Sequence, residues 1–292
     1  MLLNIKLSLI FGFLINASIF GCLAFICLKF LKSFFPVSIS SERSALFHVP
    51  TIRGIGIIFP ISLLLSSCLL LPITEVLNFQ FLLIFICTLI GFYDDLKNIK
   101  YYKKLLFLSS LFLLFLLLDR DILVFSDLNI ILSVIISLLF FIFYVLFFNQ
   151  IDGINGLSSG TFCIFLAGIV FFKSENLSSN VMFINILGII FFYFLLNMMH
   201  IKFFQGDAGA YFLGSVSYFI FKENEQLIFI SLIFLFPILA DIIWTAILRL
   251  YLGYNLSQPH KNHLYQKSVS VIKAHSPITL IHLLIQIICI WA

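Results

Sequence analysis

The feature that most limits what this chain can fold into is the recurrence, from end to end, of apolar runs about as long as a bilayer is thick. Ten such runs are readable, at roughly 7–31, 54–73, 77–93, 102–118, 128–148, 157–172, 180–199, 208–221, 227–250 and 277–291. A helix of about 20 apolar residues crosses the hydrocarbon core, and lipid leaves backbone polar groups no partner outside a helix or a closed barrel. The expected fold class is therefore all-α: a polytopic membrane protein with about ten transmembrane helices. Composition excludes the water-soluble alternative. Hydrophobic residues make up 62% of the chain and charged residues only 10%, against about 25% charged in soluble domains. The run at 208–221 is the shortest, and runs of about 10–14 residues are often re-entrant.

Charge sets the orientation, because Lys and Arg are retained on the cytoplasmic side. With both termini placed outside, the inner side holds all of the 17 Lys and Arg except Lys6, Arg120, Lys173 and Lys222. The same threading carries the segments 41–56, 91–104, 149–160, 200–209 and 253–275 to one face, whereas dropping the eighth crossing would separate 200–209 from 253–275. The first run is longer than the apolar core of a secretory signal and lacks a cleavage site, so it reads as a retained span. The six cysteines all lie within apolar runs, with no C-x-x-C pair, and read as small hydrophobes. One membrane domain over residues 1–292 is the resulting organisation.

The inner-face segments carry the chemistry. Gly91-Phe92-Tyr93-Asp94-Asp95 ends the third span with adjacent carboxylates, which repel each other unless a cation is near. Mg²⁺ suits that place, since it takes one or two carboxylates together with substrate oxygens; a solvated loop neutralised by Lys97 and Lys100 is the bland alternative. Asn149-Gln150-Ile151-Asp152-Gly153-Ile154-Asn155-Gly156-Leu157 follows the fifth span, with glycines that admit a tight turn and close approach of a ligand. Asn149 and Asp152 share a face if that stretch is helical. Gln205-Gly206-Asp207-Ala208-Gly209 opens the eighth span, where an Asp is either a cap or a metal ligand beside phosphates drawn to the helix N-terminus. Phe204, next to it, is a candidate for stacking on a base.

Pro259-His260-Lys261-Asn262-His263 offers donors suited to phosphate oxygens rather than a zinc site, because H-x-x-H lacks further ligands at set spacing. Thr51, Arg53, Gly54 and Gly56, with Arg43, His48 and Pro50 before them, lead into the second span. Asp241 stands inside the ninth. An intramembrane acid is either functional or a structural acid bonded to a helix broken near Pro237.

Together these segments resemble the polyprenyl-phosphate N-acetylhexosamine-1-phosphate transferases, glycosyltransferase family 4. The Asp-Asp of Gly91–Asp95, the N-x-x-D-G-x-x-G-L of Asn149–Leu157, the G-D-x-G of Gly206–Gly209 and the histidine loop at His260–His263 occur in the family's order. The likeness spans roughly residues 41–270. Within the family, Arg43–Gly56 and His260–Gln266 look most like the branch that initiates O-antigen and surface polysaccharides. Ile52, Ile55, Asn155 and Ala210 depart from residues common in relatives.

The resemblance implies a bacterial inner-membrane enzyme with a cytoplasmic active site. It would transfer a sugar-1-phosphate from a UDP-N-acetylhexosamine, of the 6-deoxy kind in that branch, to polyprenyl phosphate, releasing UMP. Mg²⁺ is the implied cofactor, with Mn²⁺ as a substitute, and a homodimer is an open alternative; nucleic acid is not among the implied partners. Asp207 would ligate the metal with Asp94 or Asp95. Asp152, Asn149 and Asn155 would organise nucleoside or nucleophile, and His260, His263, Lys261, Arg53 and Thr51 would hold the substrates. The competing class is a transporter or lipid flippase with inner-face ion-binding carboxylates, for which Asp241 is the supporting residue.

Overall fold

A computed structural model of the chain describes residues 2–38, 51–70, 79–124, 128–172, 177–199, 203–223, 227–255 and 260–291. A helix lies over each of the ten apolar runs: α1 (Leu2–Phe30), α2 (Ile58–Leu70), α3 (Phe79–Lys97), α4 (Tyr101–Leu118), α5 (Ile130–Ile151), α6 (Leu157–Phe172), α7 (Leu177–Met198), α8 (Gly206–Glu223), α9 (Leu227–Tyr251) and α11 (His275–Trp291). A short amphipathic helix, α10 (Leu264–Ile272), precedes the last. Arg43, His48 and Pro50 lie outside the described residues.

Five helical stretches among the described residues are long and apolar enough to cross a membrane: Ile10–Phe30, Phe79–Lys97, Tyr101–Leu118, Ile130–Ile151 and Leu232–Tyr251. Shorter apolar helices run at Ile55–Cys68, Leu157–Phe171, Met182–Met198 and His275–Cys289. Their outward faces are as apolar as their inward ones. Phe11, Leu114, Leu117, Ile131, Trp244 and Ile288 are all exposed. Water would not tolerate that surface, and lipid does. The chain is a helical membrane protein.

The eighth run behaves differently from the re-entrant segment that its length suggests. α8 is a helix of 18 residues, and every residue from Gln205 to Phe221 is buried. It is short of large aliphatic residues because its neighbours are helices rather than lipid. A Cβ on Gly214 would fall 2.4 Å from the Cα of Val145 on α5, and one on Gly91 of α3 would fall 2.5 Å from the carbonyl oxygen of Asp207. Small residues at such crossings let helix backbones touch. Aromatic rings close the remaining space: Phe59 on Phe212 at 5.6 Å, Phe141 on Tyr218 at 5.5 Å and Tyr144 on Phe221 at 4.7 Å.

At the start of α8 the backbone leaves helical geometry and pairs with other segments. A two-stranded ribbon joins Val37–Ser38 to Thr51–Ile52, and Ile52 forms a parallel bridge with Phe203. The pairing continues through the Phe204 amide to the Ile52 carbonyl (2.7 Å), the Ile55 amide to the Phe204 carbonyl (3.1 Å) and the Gly56 amide to the Gln205 carbonyl (2.9 Å). Gly56 sits so near that a Cβ would lie 2.1 Å from the Gly209 nitrogen. Gly56 is there for this contact, whereas Gly54, with a φ of +87°, turns the chain beside Phe92 and Asp95.

Candidate active site

Asp94, Asp95, Asp152 and Asp207 sit at helix termini, and those termini meet at one end of the bundle. α3 runs on to Lys97, so Asp94 and Asp95 occupy its last turn instead of a loop beyond it. Asp207 is in the first turn of α8, and Asp152 caps the end of α5.

Asp95 is tied down on all sides. Its Oδ1 accepts the Asp207 amide at 2.9 Å and its Oδ2 the Ala208 amide at 3.0 Å, while Arg53 Nε lies 2.7 Å from Oδ1. The helix N-terminus expected to attract substrate phosphate is thus capped by a carboxylate of the protein itself. Gly206 makes that approach possible: its φ is +69°, and a Cβ there would be 2.3 Å from Asp95 Oδ2. Asp95 is consequently a structural clasp.

Asp94 and Asp207 are the freer pair. Asp94 Oδ1 accepts the Ile99 amide at 2.8 Å, and its Oδ2 pairs with the ammonium of Lys104. That same ammonium is 3.1 Å from Asp207 Oδ2, and Arg53 holds Asp207 Oδ1 at 2.6 Å. Three carboxylates and two cations form one run of ion pairs, Asp94–Lys104–Asp207–Arg53–Asp95. The guanidinium of Arg53, beside Asp207 and Asp95, is held charged well above its ordinary range.

Lys104 is a site residue that sequence reasoning missed. It stood among lysines read only as orientation signals, and nothing in its spacing set it apart from Lys103. Gln205 was missed too. Its Nε2 donates to Asp152 Oδ1 and to Ser158 Oγ, both at 2.9 Å, and so joins Asp152 to the start of α8. Burial pushes the Asp152 carboxyl up, with the charge of Arg53 pulling the other way.

The rest of the N-x-x-D-G-x-x-G-L segment is positioned by neighbouring helices. The Gly156 amide donates to Asn197 Oδ1 at 2.6 Å, and Asn197 Nδ2 donates to the Phe203 carbonyl at 3.0 Å. Asn155 faces α11: its amide is 3.4 Å from His275 Nδ1, and its carbonyl accepts Thr279 Oγ1 at 2.6 Å. Its side-chain Oδ1 is buried with no hydrogen-bond partner among the described residues. Asn149 is half-buried on the last turn of α5, one turn before Asp152. Thr51 is buried in the ribbon. Phe204 is half-buried, and its backbone serves the pairing with Ile52 and Ile55.

The histidine loop forms a second cluster that adjoins the first through Tyr265. Tyr265 Oη donates to the Gln150 carbonyl at 2.7 Å. The His263 ring stacks on Tyr265 with centroids 5.4 Å apart, and His260 lies 4.9 Å from His263 on centroids. Burial first, then the charges of His263 and Arg249, push the His260 imidazole down to about 4; burial lowers that of His263 as well. These are neutral N–H donors. Lys261 is half-exposed beside them. α9 continues through Pro237, so Asp241 is not bonded to a broken helix. Its carboxylate instead accepts the Leu264 amide at the start of α10.

At the same end, Tyr93, Tyr101, Tyr102, Tyr251 and Tyr254 are exposed beside exposed Lys97, Lys100 and Lys103. Tyrosines and lysines in such a belt mark a membrane–water interface.

A cluster of carboxylates and cations at the rim of a lipid-facing helix bundle defines a membrane enzyme site suited to anionic substrates. The chain belongs to glycosyl transferase family 4, whose family model matches residues 77–225. The match takes in Asp94, Asp95, Lys104, Asp152, Gln205 and Asp207 and leaves Arg53 and the histidine loop outside. No curated protein matches the chain. Family membership makes it a transferase of the class that joins sugar phosphates to polyprenyl phosphate.

Proposed function

We propose that the chain transfers N-acetylhexosamine-1-phosphate from a UDP-sugar to undecaprenyl phosphate, releasing UMP, at the cytoplasmic face of a bacterial inner membrane. The observation that carries this reading is the shared position of Asp94 and Asp207. Both turn an Oδ2 toward one ammonium, that of Lys104, in a network that also holds Arg53. Two hard carboxylates converging on one cation are a donor set for Mg²⁺ or Mn²⁺. Among the described residues no three His, Cys, Asp or Glu side chains converge, and a Mg²⁺ that completes its shell with phosphate oxygens needs only one or two. When bound, the metal would neutralise diphosphate charge and align the donor.

The residues would then divide the work. Arg53 and Lys104 would take phosphoryl oxygens. Asp152, held by Gln205, orients the nucleophile or the uridine. His260, His263 and Lys261 supply donors from the adjoining loop. No strong base is needed, since a phosphate monoester has its second pKa near about 6 and is largely ionised at neutral pH. Catalysis is therefore alignment and charge neutralisation. The O-antigen type of pathway, with a 6-deoxy donor, fits the sequence of the Arg53 and histidine segments. Ten crossings with both termini periplasmic fit the alternation of the helices and the tyrosine belt.

Membranes carrying the protein, given Mg²⁺, undecaprenyl phosphate and a panel of UDP-N-acetylhexosamines, test this directly. UMP release with at least one donor is expected. Absence of UMP with every donor would end the proposal.

A further inference from the structure

Asp241 has no place in the reaction as described, yet it is the best-connected acid outside the carboxylate network. It sits ten residues before the end of α9 and is buried. Its Oδ1 and Oδ2 accept the Leu264 amide at 2.9 and 3.0 Å, which makes it the cap of α10 although His263 occupies the N-cap position and makes no side-chain cap bond. Thr245 Oγ1, one turn along α9, donates to Oδ1 at 3.2 Å. Oδ2 lies 3.9 Å from His263 Nδ1, and that nitrogen is buried with no hydrogen-bond partner among the described residues. The imidazole itself is held between the rings of His260 and Tyr265.

We infer that Asp241 is a positioning residue for the transfer: it seats the histidine loop by capping α10 and fixes His263 with its proton on Nδ1, leaving Nε2 as the working nitrogen. At 3.9 Å the contact is electrostatic rather than a hydrogen bond, and an anion beside one ring nitrogen favours the tautomer that carries the proton on it. A carboxylate facing Nδ1 favours Nδ1–H. Of the other polar groups near this ring, Arg249 and Tyr265 Oη offer donors and no anionic acceptor, and His260 is an imidazole lowered by burial. Only Asp241 among them can set the proton there. The inference rests on the proposed transfer for its kinetic consequence but not for its structural one.

Asp241→Asn tests it with two readouts on the full-length protein in detergent. Asn keeps an oxygen to cap Leu264 and loses the charge facing Nδ1. ¹⁵N-histidine NMR, with the His263 signal assigned by its loss in His263→Gln, should show Nδ1–H in the parent and a shift toward Nε2–H in the variant. UMP release should fall at least tenfold in kcat with KM within twofold, and Asp241→Glu should recover part of it. An unchanged His263 tautomer in Asp241→Asn overturns the inference, as does kcat within twofold of the parent. If the parent releases no UMP with any donor, the transfer reading fails alone, and the NMR result still decides the role of Asp241.

Discussion

Asp95 and Asp207 are 112 residues apart, and the first caps the helix that begins with the second: Asp95 Oδ1 accepts the Asp207 amide at 2.9 Å. This bond separates two neighbouring acids by role. Asp95→Ala would strand two buried amides and take away one of the two carboxylates paired with Arg53, at a cost on the order of 3 kcal/mol. Thermal unfolding in detergent should show a clear drop for it. Asp94→Asn should keep the parent's unfolding temperature within a few degrees and lower turnover by about 10²-fold.

Glycines at the helix contacts should differ sharply in tolerance from one in open space. Gly56→Ala and Gly91→Ala each push a methyl into backbone, at 2.1 and 2.5 Å from the Gly209 nitrogen and the Asp207 carbonyl oxygen. Both should abolish monodisperse protein in size-exclusion chromatography. Gly253 has φ of +73° but open space around it, so Gly253→Ala should cost only about 1 kcal/mol and give normal yield.

Lys104 holds the place between Asp94 and Asp207 that a divalent ion would share. Lys104→Ala leaves two carboxylates facing each other, which should tighten binding of Mn²⁺ alone roughly tenfold, or ~1.4 kcal/mol, as read by electron paramagnetic resonance. Turnover should fall at the same time, because the lysine is no longer there for phosphate. Unchanged Mn²⁺ affinity would show that the two acids do not share a cation site.

His260 should stay neutral in the folded protein. Its imidazole is pushed down to about 4, whereas the unfolded chain titrates near ~6.5. The unfolded state therefore takes up the proton first as pH falls. The contribution is fully present above pH ~6.5 and is lost on the way down to about 4. The His260 ring proton shift should hold its neutral value from pH 8 to 5.5, and His260→Gln should flatten the acid limb of the unfolding curve.

What was legible in the sequence followed from solvent and spacing. Long apolar runs fixed the helices, because lipid permits little else. Glycines beside Asp152 and Asp207 marked those acids, because glycine next to a carboxylate allows close backbone approach, and the adjacent carboxylates marked Asp94. The burial of α8 was not legible: a helix wrapped by others and a re-entrant segment are equally poor in aliphatics. Nor was the division between Asp94 and Asp95, which depends on a helix more than a hundred residues away. Lys104 carried the residue type of an ordinary anchor, and Asp241 found its partner in a loop that folds back on α9. In each case the deciding contact is long-range, and neither period nor composition encodes it.

The transfer itself is tested most directly by following the β-phosphorus of the donor. Undecaprenyl phosphate, Mg²⁺ and UDP-N-acetylhexosamine labelled with ³²P at the β-position are incubated with the purified protein and partitioned between water and organic solvent. The label is expected in the lipid phase, with UMP in the water, and this movement should vanish in Asp207→Ala. Label remaining in the aqueous nucleotide as UDP while sugar reaches the lipid, or transfer that persists in Asp207→Ala, would contradict sugar-1-phosphate transfer at this site.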